Sequence, residues 1–197
     1  MPTSPEVDFT GLLAAWKGGD QGALERLTEI AYGELRSLAV SRLRRERGDS
    51  VLQPTELVNE MFLRLLSADV PWSDRSHFYR LAARTMRRVL VDQARLRNRQ
   101  KRGNDPLKIT LEEWHRDAGG SAPDAVDLLA LDQALEALEA LDAAQAEILE
   151  LYFFSGLTLD EISDATARPR STVHRLVRSG QAWLYRRLRP ADGEPTA

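Results

Sequence analysis

The chain of 197 residues can hold one large or two small domains, and its composition, 43% hydrophobic and 29% charged, is that of a helical globular protein. Cysteine is absent, which excludes disulfides, thiolate zinc sites and cysteine redox chemistry. No apolar run approaches the roughly 20 residues of a spanning helix, and the opening MPTSPEVDF lacks the basic and apolar parts of a secretion signal. A cytoplasmic protein that makes no membrane contact is expected.

The formal net charge of −3 conceals a segregation along the chain. Residues 75–103 carry ten basic groups against one acid, Asp92. Residues 104–150 carry twelve acids against two bases, and residues 166–189 carry seven arginines and no acid. A polyanion meets the local field of each block, not the total.

In chain order, residues 10–17 read as a short helix stopped by Gly18 and Gly19. A longer helix follows Asp20, with Leu24, Leu27, Ile30, Ala31, Leu35 and Leu38 at helical spacing, and ends in the basic run Arg42, Arg44, Arg45 and Arg47. Pro54 suits the first turn of the next helix. That helix, 54–67, buries Leu57, Val58, Met61 and Leu65, with Phe62 beside them, and turns Glu56, Asn59, Glu60 and Arg64 outward.

A loop with Pro71 leads into the most distinctive stretch, residues 72–103. At about 100° per residue, Phe78, Ala82, Met86 and Val89 share one arc of its helix. Arg80, Arg84, Arg87, Arg88 and Arg95 share another, roughly opposite. One side suits a core and the other forms a guanidinium stripe that fits a nucleic-acid backbone. A merely solvated face would mix signs.

Residues 103–127, with Pro106, Gly119, Gly120 and Pro123, read as a linker. LKITL at 107–111 is compatible with a short extended piece but does not by itself predict a sheet. Beyond the linker an acidic helix over 128–141 is expected. Asp142 with Gln145 resembles a capping pair, opening a helix that stops at Gly156. Thr158 and Glu161 form a second capping box, starting a short helix. After Ala167, Arg168 and Pro169 comes a last helix from about Arg170 to Leu188. A short helix, a tight turn and a second helix make a helix-turn-helix. On the second helix Val173, Leu176, Val177, Gly180 and Leu184 share the inner arc. Ser171, His174, Arg175 and Arg178 share the outer one, as groove-reading residues must. Arg168 and Arg170 are better placed for phosphate. A protein-binding helical hairpin is the competing account of the same pattern.

With these blocks in order the chain resembles a bacterial RNA polymerase sigma factor of the extracytoplasmic-function (ECF) type. The resemblance rests on QPTELVNEMFLRLL (53–66), HFYRLAARTMRRVLVDQARLR (77–97) and AEILELYFFSGLTLDEISDATARPRSTVHRLVRSGQAWL (146–184). It implies an all-α chain of two small helical domains, over 10–102 and 128–189, joined by a flexible linker. It further implies that Glu56, Asn59 and Glu60 dock on core RNA polymerase, although a solvated face accounts for them equally. Trp72, Ser73, Asp74 and Arg75, with Arg80, Arg84, Arg87 and Arg88, would recognise and melt the minus-ten promoter element. Trp72, Phe78 and Tyr79 are the aromatics available to an unstacked base. Arg168, Arg170, Ser171, His174, Arg175 and Arg178 would read the minus-thirty-five element. Core RNA polymerase and promoter DNA are the implied partners, and an anti-sigma factor is a further partner that the resemblance allows without requiring. The chain departs from the family's pattern at Leu81, Arg88 and Ala167, where Trp, Asn and Gly are usual.

No enzyme is expected. There is no phosphate-binding glycine loop, and His77, His115 and His174 are too far apart in sequence to form a metal-ligand pair. Glu112, Glu113, His115 and Asp117 cluster in the linker, where an acidic solvated segment is the simpler account. No cofactor or metal is expected. The competing function is a stand-alone helix-turn-helix regulator, which has no need of the basic helix and its polar loop.

Overall fold

Most helix starts in this chain are fixed by a side-chain oxygen that takes up a free backbone N–H. The computed structural model describes residues 8–43, 54–67, 74–100, 106–110 and 125–188. Asp8 accepts from the Gly11 amide at 2.7 Å and opens α1 (Phe9–Lys17). Gly18 and Gly19 end that helix, Gly19 at φ 97°. Asp20 accepts from Gly22 and Ala23 to open α2 (Gln21–Leu43). Helix α3 (Pro54–Ser67) begins on the expected proline, and Asp74 accepts from His77 at 2.8 Å to open α4 (Arg75–Gln100).

The two ends of the linker pair as a short antiparallel ladder, which periodicity alone does not predict. Strand β1 (Lys108–Thr110) lies against β2 (Ala125–Asp127), with Ile109 opposite Val126. The pairing joins residues far apart in sequence, so no local pattern announces it. Asp127 ends the ladder and caps α5 (Leu128–Leu141) through the Leu129 amide.

Asp142 caps α6 (Ala143–Phe154) through the Gln145 amide, but the Gln145 side chain does not reciprocate. It donates instead to the Leu176 carbonyl and the Ser179 hydroxyl, tying α6 to the last helix. The second box is complete in both directions: Thr158 takes the Glu161 amide and Glu161 takes the Thr158 amide at the start of α7 (Leu159–Thr166). Ala167 then turns the chain in the left-handed region, at φ 49° and ψ 37°, into α8 (Arg170–Leu188).

Among the described residues the fold is all-α apart from that ladder, and α4 is its axis. Phe78, Ala82, Met86 and Val89 are buried as their arc predicts. Tyr79, Ala83, Leu90 and Ala94 are buried too, which widens the arc because α4 packs against α1 and α3 on one side and α5, α6 and α7 on the other. Most of the buried apolar residues form one contiguous cluster from Phe9 to Leu184. Gly180 sits where α8 meets α6, so close that an added Cβ would lie 2.6 Å from Leu149 Cδ1.

Candidate nucleic-acid interface

The outer face of α8 is open. Ser171, His174, Arg175 and Arg178 are exposed, and Val173, Val177 and Leu184 fix the helix from behind. Arg170 Nε pairs with Asp160 at 2.8 Å, linking the starts of α7 and α8. Arg168 is half-buried, and its backbone closes the turn: its amide donates to the Ser163 carbonyl and its carbonyl accepts from the Ser163 hydroxyl. The structure therefore brings four of the six predicted readers onto one free surface, with the two others at its edge.

The basic arc of α4 is in a different state, because carboxylates of α5, α6 and α7 lie along it. Arg87 Nε donates to Asp132 Oδ1 at 2.7 Å, its Nη2 to the Asp132 carbonyl at 2.9 Å, and its Nη1 to Glu150 Oε1 at 3.3 Å. All three side chains are nearly buried, at 12%, 10% and 12% exposure for Arg87, Asp132 and Glu150. Arg84 reaches the other oxygen of Glu150 at 3.7 Å. Arg80 pairs with Glu147 at 3.1 Å and donates to the Ala165 carbonyl at 2.6 Å. Arg75 pairs with Glu161 at 3.1 Å and lies over the rings of Phe9 and Tyr79. Arg88 is exposed, beside a polar cleft of about 290 Å³ that Arg84, Arg95, Asp132 and Glu136 also line.

Sequence reasoning saw the acidic block but not that Asp132, Glu147, Glu150 and Glu161 meet the stripe. Trp72 and Ser73 lie outside the described residues, as do Glu112, Glu113, His115 and Asp117. Asp74 is the N-cap of α4. Phe78 and Tyr79 are each 1% exposed, their rings 5.2 Å apart and packed on Phe9. Tyr79, an aromatic that the sequence offered to an unstacked base, is thus a core residue here, because α1 covers the start of α4.

A third surface lies on the outer side of α3. Glu56 and Asn59 are exposed. Glu60 is held by Arg64 at 2.9 Å, and Arg64 reaches on to Asp92 of α4 at 2.7 Å. The hydrogen bond to Asp92, then the one to Glu60, raises the Arg64 guanidinium above its ordinary value against the opposing effect of burial. Sequence reasoning missed Leu63, which is 65% exposed on the same face, seven residues after Glu56. An outward leucine at that spacing was the available signal.

Among the described residues no group of acidic or histidine side chains could hold a metal ion, and no helix is long and apolar enough to cross a membrane. The family model described as ECF sigma factor matches residues 6–190. No curated protein matches the chain.

Proposed function

The chain belongs to the family of ECF sigma factors, transcription initiation factors that bind core RNA polymerase and promoter DNA, and we propose that it works through three separate faces. The family is not an enzyme class. Helix α8 reads the upstream, minus-thirty-five element as duplex. Ser171, His174, Arg175 and Arg178 face the major groove, while Arg168 and Arg170 hold phosphate. Helix α4, with the polar residues before it in sequence, engages the minus-ten element. Arg75, Arg80, Arg84, Arg87 and Arg88 track the backbone, and Trp72, Ser73 and Asp74 stand at the point of strand opening.

The outer face of α3 docks on core polymerase. Glu56, Asn59 and Glu60 supply its polar contacts, and Leu63 adds an apolar anchor, the kind of residue that carries energy at an interface when rimmed by polar groups. The helices on either side of residues 103–127 then act as two units, one for each promoter element. The single observation that carries this reading is the free, arginine-bearing face of α8 mounted on a short helix by a tight turn.

Association with bacterial core RNA polymerase tests the proposal. The full chain co-migrates with core, and a variant with Glu56, Asn59 and Glu60 all replaced by alanine does not. Failure of the parent chain to bind core, with tight binding to duplex DNA alone, would replace the proposal with a stand-alone regulator.

A further inference from the structure

Apolar packing alone does not fix the direction in which a helix presents its outer residues. Val173, Val177 and Leu184 hold α8 from behind, and contacts of that kind carry no preferred direction. A recognising side chain must be held within about 0.5 Å and 10–20° of its working geometry. At the roughly 5–6 Å radius of a helix with its side chains, a roll of about 20° carries an outer group through about 2 Å. That is more than a bidentate contact between arginine and guanine tolerates.

A directional contact lies on the flank of α8. Gln145 Nε2, in the first turn of α6, donates to the Leu176 carbonyl at 3.0 Å and to the Ser179 hydroxyl at 2.6 Å. Ser179 Oγ donates to the same carbonyl at 3.3 Å, so amide, hydroxyl and carbonyl form a closed triangle. Ser179 stands four residues after Arg175, one turn along the same side of the helix. The seam is tight because residue 180 is glycine: a Cβ there would lie 3.3 Å from Gln145 Cγ and 2.6 Å from Leu149 Cδ1. Asp142 takes the Gln145 amide at 2.9 Å, which anchors the root of that side chain at the start of α6.

We propose that Gln145 is a positioning residue for sequence reading. It pins the roll of α8, so that Arg175, and with it Ser171, His174 and Arg178, meets the groove at one fixed angle. The reach to α8 replaces the return bond that a residue at this place gives its own cap. Gln145 carries no charge and touches no base in this role, so its loss leaves the attraction of the arginines to phosphate unchanged. Discrimination is what falls, because a helix free to roll meets right and wrong bases with similarly imperfect contacts. The pin has a purpose only if α8 reads duplex, and Arg175→Ala measured alongside keeps the two ideas apart.

The test uses the full chain assembled with core RNA polymerase, on templates whose upstream sequence is randomised. Gln145→Met keeps the length of the side chain and removes both of its hydrogen bonds. Base preference in the upstream element is read from the transcribed templates, and salt dependence from promoter binding. Circular dichroism checks folding.

At the base that Arg175→Ala ceases to distinguish, Gln145→Met is expected to lower the preference about tenfold, the loss of one bidentate contact. Preference in the downstream element and the salt dependence stay as in the parent. An unchanged upstream preference in folded Gln145→Met, with that preference lost in Arg175→Ala, overturns the pin and leaves α8 as the reader. A uniform loss across all templates, in step with a lower melting temperature, also overturns it, since packing alone has that effect. If Arg175→Ala leaves the preference intact, the reading of α8 falls and the pin with it. Should Gln145→Met fail to fold, Ser179→Ala removes one of the two anchors at an exposed helical position. A fall of about threefold is expected there, as for one hydrogen bond, and no change overturns the pin.

Discussion

Arg87 and Asp132 meet twice, the guanidinium Nε on the carboxylate at 2.7 Å and Nη2 on the backbone carbonyl at 2.9 Å. This double attachment fixes α5 against α4, and Glu150 closes the third side. With all three side chains nearly buried, loss of one partner strands the others in a medium that solvates charge poorly.

Arg87→Ala should therefore destabilise the folded chain by about 3 kcal/mol, the usual cost of leaving buried charges unpaired. Replacing Arg87, Asp132 and Glu150 together by apolar residues of similar volume should be nearly neutral. Urea denaturation of the two variants checks the contrast. Equal losses in both would mean that packing, not charge, sets the effect.

Gly180→Ala places a methyl group 2.6 Å from Leu149 Cδ1 and 3.1 Å from its Cγ, and Leu149 is fully buried. Overpacking of this kind costs about 1–3 kcal/mol, against which the helix propensity of alanine returns about 1 kcal/mol. A net fall in melting temperature is predicted. Adding Leu149→Val should recover part of it, because the two sites are in contact.

Ala167→Gly should act in the opposite direction. Ala167 holds φ 49° and ψ 37° in the turn between α7 and α8, a region that costs a side chain about 1–2 kcal/mol. Glycine removes that strain at some cost in unfolded-state entropy. A stabilisation of about 0.5–1 kcal/mol is expected, read as a higher denaturation midpoint with the helix-turn-helix unchanged.

Arg175→Ala and Arg84→Ala should separate sequence reading from backbone binding. Arg175 is exposed on the free face of α8, and its loss should cost about 1–3 kcal/mol only on promoters that carry the base it reads. Loss of Arg84 should weaken binding across sequences and lower the salt dependence. Transcription from promoters with and without the upstream element distinguishes them. Equal effects of Arg175→Ala on both would contradict its assignment.

Helix boundaries are legible in the sequence because capping is local chemistry. Pro54, Asp127, Asp142 and the Thr158–Glu161 box each mark the start of an observed helix within a few residues of sequence. The exposed face of α8 is legible for the same reason, since one helical period sorts Ser171, His174, Arg175 and Arg178 from Val173 and Val177. The partners of the α4 stripe are not. Arg87 lies 45 residues from Asp132 and 63 from Glu150, so only tertiary packing joins them. The reach of Gln145 to α8 and the pairing of β1 with β2 are hidden in the same way. Periodicity offers Tyr79 as available because it cannot foresee that Phe9 of α1 covers it.

Promoter selection by this protein is measured most directly by transcription with core polymerase from a library of templates with randomised upstream sequence. Transcripts are expected only when the protein is added. Enrichment of two short elements at fixed separation is also expected, the upstream one lost with Arg175→Ala. No protein-dependent transcripts, or enrichment of a single duplex element that the protein binds without core, would contradict that expectation.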